Sequence, residues 1–220
     1  MYRLKLEEAA KRVREFESNA LTGRLSKLES SFKGLTKSSS RQVCEEQNLD
    51  SNLLTAAAEL KRLAGQINVV IHASGILAAL PSILEEREIV ENLSLGAGNT
   101  GRKFDLETNL RIAEFKFINW KGGPESIRQN SLFKDFYGLA EEDTKKMKCL
   151  YVLGTDKPLK FLKGTRKLSS VMSRNQQLAR DFEKRYGSRF SVVSEYFRHR
   201  KSSVQIIDVA TVLPELVDLY

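Results

Sequence analysis

Arg102-Lys-Phe-Asp105-Leu-Glu-Thr-Asn-Leu-Arg-Ile-Ala-Glu114-Phe-Lys116-Phe117 reads as two paired strands, over residues 103–108 and 111–119. Nine positions separate Asp105 from Glu114, enough for a turn to set the strands side by side. Glu114 and Lys116 are two apart, so on a strand they share one face. Their neighbours Ile112, Ala113, Phe115, Phe117 and Ile118 are apolar. Burying unpartnered charges is costly, so an apolar strand that keeps two of them is expected to use them. Two carboxylates and an ammonium beside one hairpin suit metal-assisted hydrolysis of phosphodiesters. The carboxylates would hold Mg²⁺, and the lysine would position the attacking water or stabilise charge on the phosphate.

Outward from this stretch, the pattern predicts an α/β chain. Residues 67–86 are apolar and rich in small residues, which predicts a buried helix kinked or restarted at Pro81. Residues 88–95 read as a strand, and Gly96-Ala-Gly98-Asn-Thr-Gly101 as a loop lacking the Lys-Ser/Thr ending of a P-loop. Lys121-Gly-Gly-Pro124 breaks the chain, with Pro124 suited to a helix first turn. Ile127, Leu132, Phe136 and Leu139 then give residues 125–142 a helical period, and 147–153 read as a buried strand. The order is helix, three strands, helix, strand. Past Gly154 a short helix or turn is expected over 158–164 and a charged amphipathic helix over 175–186. Strands are expected over 190–193 and 204–209, and a last helical piece over 213–219.

The N-terminal part is helical by pattern. Leu6, Ala9, Val13, Phe16 and Ala20 have the seam spacing of a coiled coil, repeated one residue out of phase by Leu21, Leu25, Leu28, Phe32 and Leu35. Lys37-Ser-Ser-Ser40 reads as a break, followed by a helix over 49–63. These features divide the chain into a helical or coiled-coil extension, 1–65, and an α/β domain, 66–220, with its core at about 66–155. Packing against the body and self-association into a homo-oligomer are both open to the extension.

With Asp105 ahead of Glu114-x-Lys116, the order helix, three strands, helix, strand resembles the PD-(D/E)xK nuclease superfamily. Gln129 and Phe133, in Arg128-Gln-Asn-Ser-Leu-Phe133, resemble the glutamine-x-x-x-tyrosine element of its RecB-like and lambda-exonuclease-like branches, with phenylalanine in place of tyrosine. Phe104 stands where the pattern often has proline. The resemblance spans roughly residues 66–155 and implies a restriction-endonuclease-like core and a Mg²⁺- or Mn²⁺-dependent nuclease acting on DNA, with RNA also open. It implies that Asp105, Glu114 and the main-chain carbonyl of Phe115 bind the metal, that Lys116 orients the water, and that Gln129 organises the site. His72, in the preceding helix, is the candidate for a further metal ligand. Glu107, two residues past Asp105, is the rival carboxylate; a charge at a hairpin end is its plainer reading.

A net charge of +8 favours phosphate-bearing partners. Arg102 and Lys103 stand beside the hairpin, and Lys160, Lys163, Arg166 and Lys167 form a basic cluster interleaved with Leu159, Phe161 and Leu162. Arg198-His-Arg-Lys201 is a second basic run. Each reads either as a backbone-tracking surface or as a solvated face. Cys44 and Cys149 have no CxxC spacing, which predicts reduced thiols, no zinc and a cytoplasmic setting. No apolar run long enough to span a membrane is read from the sequence, and no signal peptide. The alternative to an enzyme is a catalytically inactive nucleic-acid-binding or scaffold protein on the same fold.

Overall fold

The structure, a computed structural model, describes residues 5–17, 21–96, 101–118, 120 and 125–218, with 217 and 218 described by backbone alone. The expectations for Ala20, Gly98, Asn119, Lys121-Gly-Gly-Pro124 and residue 219 lie outside the described residues. The chain divides into two compact units, Met1–Asn68 and Val69–Tyr220.

The first unit contains α1 (Leu6–Glu17), α2 (Leu21–Phe32), α3 (Lys37–Glu46) and the start of α4 (Ser51–Ile83). At 12 residues each, α1 and α2 are too short for the three to four heptads that sustain a coiled-coil seam. Lys37-Ser-Ser-Ser40 is not a break. Thr36 caps the helix by accepting from Ser39 N, while Ser39 Oγ accepts from Thr36 N at 2.8 Å. The chain turns just ahead, at Gly34, whose φ of +80° suits a residue without Cβ.

The helices expected over 49–63 and 67–86 form the one continuous helix α4, which runs on into the second unit. Pro81 falls in its last turn, where only the hydrogen bond to the carbonyl of Leu77 is lost. α4 is not buried all round: Ile67, Val69, Val70 and Leu77 are exposed. Among the described residues it is the one helix long and apolar enough to cross a membrane, with a mean hydropathy of 1.6 over an 18-residue window. That corrects the reading that no such run exists. Residues 63–84 carry no Asp, Glu, Lys or Arg, although Gln66, Asn68, His72 and Ser74 interrupt the apolar residues. In the second unit the helix seats Ile76, Ala79 and Ile83 in a core cluster with the sheet.

The sheet contains β1 (Val90–Leu93), β2 (Leu106–Thr108), β3 (Arg111–Lys116), β4 (Met147–Val152) and β5 (Gln205–Asp208), in that spatial order. β1, β2 and β3 pair antiparallel; β4 adds parallel to β3 and β5 parallel to β4, making a mixed sheet. The parallel step from β3 to β4 needs a crossover, which α5 (Ser126–Glu141) supplies. After β4 come α6 (Asp156–Leu162), α7 (Leu168–Met172), α8 (Gln176–Tyr186) and α9 (Val193–Arg200), then β5 and α10 (Glu215–Asp218).

Alternation along the strands builds two cores. Ile112, Leu150 and Val152 point to Leu132, Phe133, Phe136 and Leu139 of α5 and to helices that follow it. Ala113, Phe115, Cys149 and Tyr151 point the other way, to α4 and Val209. Each fully buried large side chain here contributes roughly 1.5–3 kcal/mol. The strand expected over 190–193 is absent. Val192 makes a single bridge to Lys167, and the chain then enters α9, because Glu195 accepts from the N–H groups of Ser191 and Val192. α7 and α9 were not read from the sequence.

Candidate active site

The β2–β3 turn is set by Thr108, whose hydroxyl oxygen accepts from Leu110 N and Arg111 N at 3.0 and 2.8 Å. Leu106 pairs with Ala113, so the register carried one step on places Asp105 opposite Glu114. The expected strand over 103–108 starts only at Leu106. Asp105 keeps its main-chain link to the β1 side, its carbonyl accepting from Ser94 N at 2.8 Å. Toward β3 its side chain replaces the ladder, Oδ2 accepting from Phe115 N at 2.9 Å. β2 and β3 therefore part at the acid pair. In a strand a residue's N–H and C=O leave by the same edge, so the Phe115 carbonyl lies on the edge that Asp105 occupies.

Asp105 Oδ1 is 3.3 Å from His72 Nε2 on α4. The imidazole is held edge-on to Phe117, with ring centroids 6.1 Å apart. His72, expected as a metal ligand, thus spends Nε2 on orienting Asp105. Burial alone would raise the Asp105 carboxyl, but His72, Lys116 and the Phe115 N–H hold it below the usual range. Glu114 goes the opposite way. Burial, then the charges of Asp135 and Asp105, push it up from 4.5 to about 9, and its carboxyl is hydrogen-bonded to Asp105.

Lys116 shares the Glu114 face, with Nζ 3.9 Å from Glu114 Oε2. Its tighter partner is Asp135 of α5, 2.6 Å away. Burial would lower the ammonium's pKa; Asp135, Glu114 and Asp105 more than offset it and hold the group above its usual range. Asp135 is only 7 % exposed, and among the described residues Oδ2 has no hydrogen bond of ordinary geometry beyond this ion pair. Sequence reading missed Asp135. The signal that marked Glu114 marks this residue too, because an acid stands among Leu132, Phe133, Phe136 and Leu139 on an otherwise apolar helix face.

Gln129 is not brought onto the carboxylates by any contact among the described residues; its Oε1 accepts from Arg166. Phe133, in the tyrosine position, is a core residue stacked on Tyr137 and edge-on to Tyr196. Glu107 is turned to a separate group, accepting from Lys146 at 2.9 Å and Asn92 at 3.3 Å. Arg102 donates to the Leu93 carbonyl and Lys103 pairs with Glu142. Lys160, Lys163 and Lys167 are exposed. In the second basic run Arg200 is structural, bound to Glu141 and Tyr186 between α5 and α8.

Among the described residues no three His, Cys, Asp or Glu side chains form a group able to hold a metal ion. The donors that face each other are the carboxylates of Asp105 and Glu114. Comparison with protein-family models, with curated proteins and with solved structures returns no match for this chain.

Proposed function

We propose that this chain is a divalent-cation-dependent nuclease on a restriction-endonuclease-like core, hydrolysing phosphodiester bonds in DNA. The observation that carries this reading is Asp105 opposite Glu114 where β2 parts from β3, with Lys116 on the same face. The order α4, β1, β2, β3, α5, β4 supports it.

The residues fit Mg²⁺ or Mn²⁺. Mg²⁺ commonly takes only one or two carboxylates and fills its remaining positions with water and substrate oxygens. Asp105 and Glu114 are hard, mostly buried oxygen donors, and the Phe115 carbonyl stands on the same strand edge. Glu114 holds a proton to about pH 9 where a cation would relieve the repulsion between acids. When bound, the ion supplies Lewis-acid stabilisation of charge developing on the phosphate. Lys116, raised in pKa, stays protonated near neutrality; it acts as a donor to water or phosphate oxygen, not as a base. His72 fixes the rotamer of Asp105.

Labelled linear, circular and single-stranded DNA, and RNA, incubated with Mg²⁺ or Mn²⁺ test the reading. The wild type should cleave, and Asp105→Ala should lose on the order of 100-fold or more in rate while melting as a folded protein. Full activity in that variant overturns the assignment. Binding without cleavage by the wild type would leave a nucleic-acid-binding protein.

A further inference from the structure

A further carboxylate, that of Asp135, lies buried beside the acid pair and Lys116. It reaches the site from the opposite layer, on α5, whereas Asp105, Glu114 and Lys116 come from the sheet. Its oxygen lies 2.6 Å from the Lys116 ammonium, against 3.9 Å from that ammonium to Glu114. The side chain is 7 % exposed and set in the apolar face of α5, a place where an acid is costly unless it is paired. The lysine is therefore drawn between two carboxylates and held by the one on the helix.

We propose that Asp135 is a positioning residue for Lys116, keeping the ammonium off Glu114 so that the Asp105–Glu114 pair stays open to a divalent cation. This rests on the nuclease reading above. Without the Asp135 charge, the ammonium has only to close the remaining distance to Glu114 to find its next counter-ion. An ammonium seated on Glu114 competes with the cation for the same oxygens and leaves the place from which it would meet water or phosphate.

Mn²⁺ binding by calorimetry, on the full chain without DNA, tests this with Asp135→Asn and with the double variant Asp135→Asn/Lys116→Met. Asp135→Asn should weaken Mn²⁺ about tenfold, a typical coupling between contacting charges, and adding Lys116→Met should restore it to within about threefold of wild type. On DNA, Asp135→Asn should lower kcat with KM little changed. Equal weakness in both variants would make Asp135 a cation ligand and overturn the proposal. Wild-type Mn²⁺ affinity in Asp135→Asn would reduce it to a packing residue and overturn it as well. If Asp135→Asn does not fold, the double variant, which removes both charges of the ion pair together, decides: affinity within about threefold of wild type supports positioning, and any larger loss refutes it. Absence of Mn²⁺ binding by the wild type would instead sink the nuclease reading, and this proposal with it.

Discussion

Glu114 is the residue on which the electrostatics of the site turn. Folded, it keeps its proton to about pH 9, whereas in an unfolded chain it titrates near 4.5. Between these values the folded state binds more protons, so this group's contribution to stability falls as pH rises. Asp105, held below its usual range, acts in the opposite sense and only in acid. The melting temperature of the metal-free protein should therefore decline from about pH 5 to 9, and Glu114→Gln should flatten that decline. Millimolar Mg²⁺ should recover the loss by displacing the proton, with proton release measurable by calorimetry in buffers of different ionisation enthalpy. An unchanged slope in Glu114→Gln would place the titrating group elsewhere.

Among the elements, the contact between α4 and β3 orients the acid pair. Gly75 of α4 lies against the Phe117 ring, where an added Cβ would come within 2.7 Å of ring carbons. Phe117 is buried, stacked on Phe115 with centroids 5.7 Å apart, and it carries the edge of His72. Gly75→Ala would gain about 1 kcal/mol of helix propensity. Overpacking costs about 1–3 kcal/mol, so a net loss of about 1 kcal/mol is expected in denaturant unfolding. Because the ring that must move supports His72, cleavage should fall by more than the stability loss explains. A stabilised variant would show that the ring yields freely.

Across the molecule as a whole, the net charge of +8 is unevenly used. Arg111 is spent on Glu88, in a bidentate pair at 2.5 Å that ties the entry to β1 to the hairpin. Lys103, Arg166 and Arg200 are likewise engaged within the protein. Lys160, Lys163 and Lys167 remain exposed around α6 and the chain leading to α7, and Arg166 between them joins that segment to Gln129 on α5. If this surface tracks a nucleic-acid backbone, replacing the three lysines by alanine should lower the slope of log K against log salt by about 3. The loss should be similar for all DNA sequences, as measured by fluorescence anisotropy. An unchanged slope would make these lysines a solvated face.

Local order in the second unit was legible from the chain alone. Apolar periodicity placed α5, β3 and β4 to within a few residues, and the two-residue spacing put Glu114 and Lys116 on one face, because strand alternation is a local property. Where helices join or begin in polar, small-residue stretches was not legible. Residues 64–66 separate two apolar patterns without a capping signal, so α4 runs through them, and the serines after Thr36 start a helix because a side-chain cap outweighs their low propensity. The partners of the site residues come from three-dimensional packing. That His72 meets Asp105, that Asp135 meets Lys116 and that Gln129 turns to Arg166 follow from how helices seat on the two faces of the sheet. Those contacts join residues far apart in the chain, and their energies depend on burial, which spacing along the sequence does not encode.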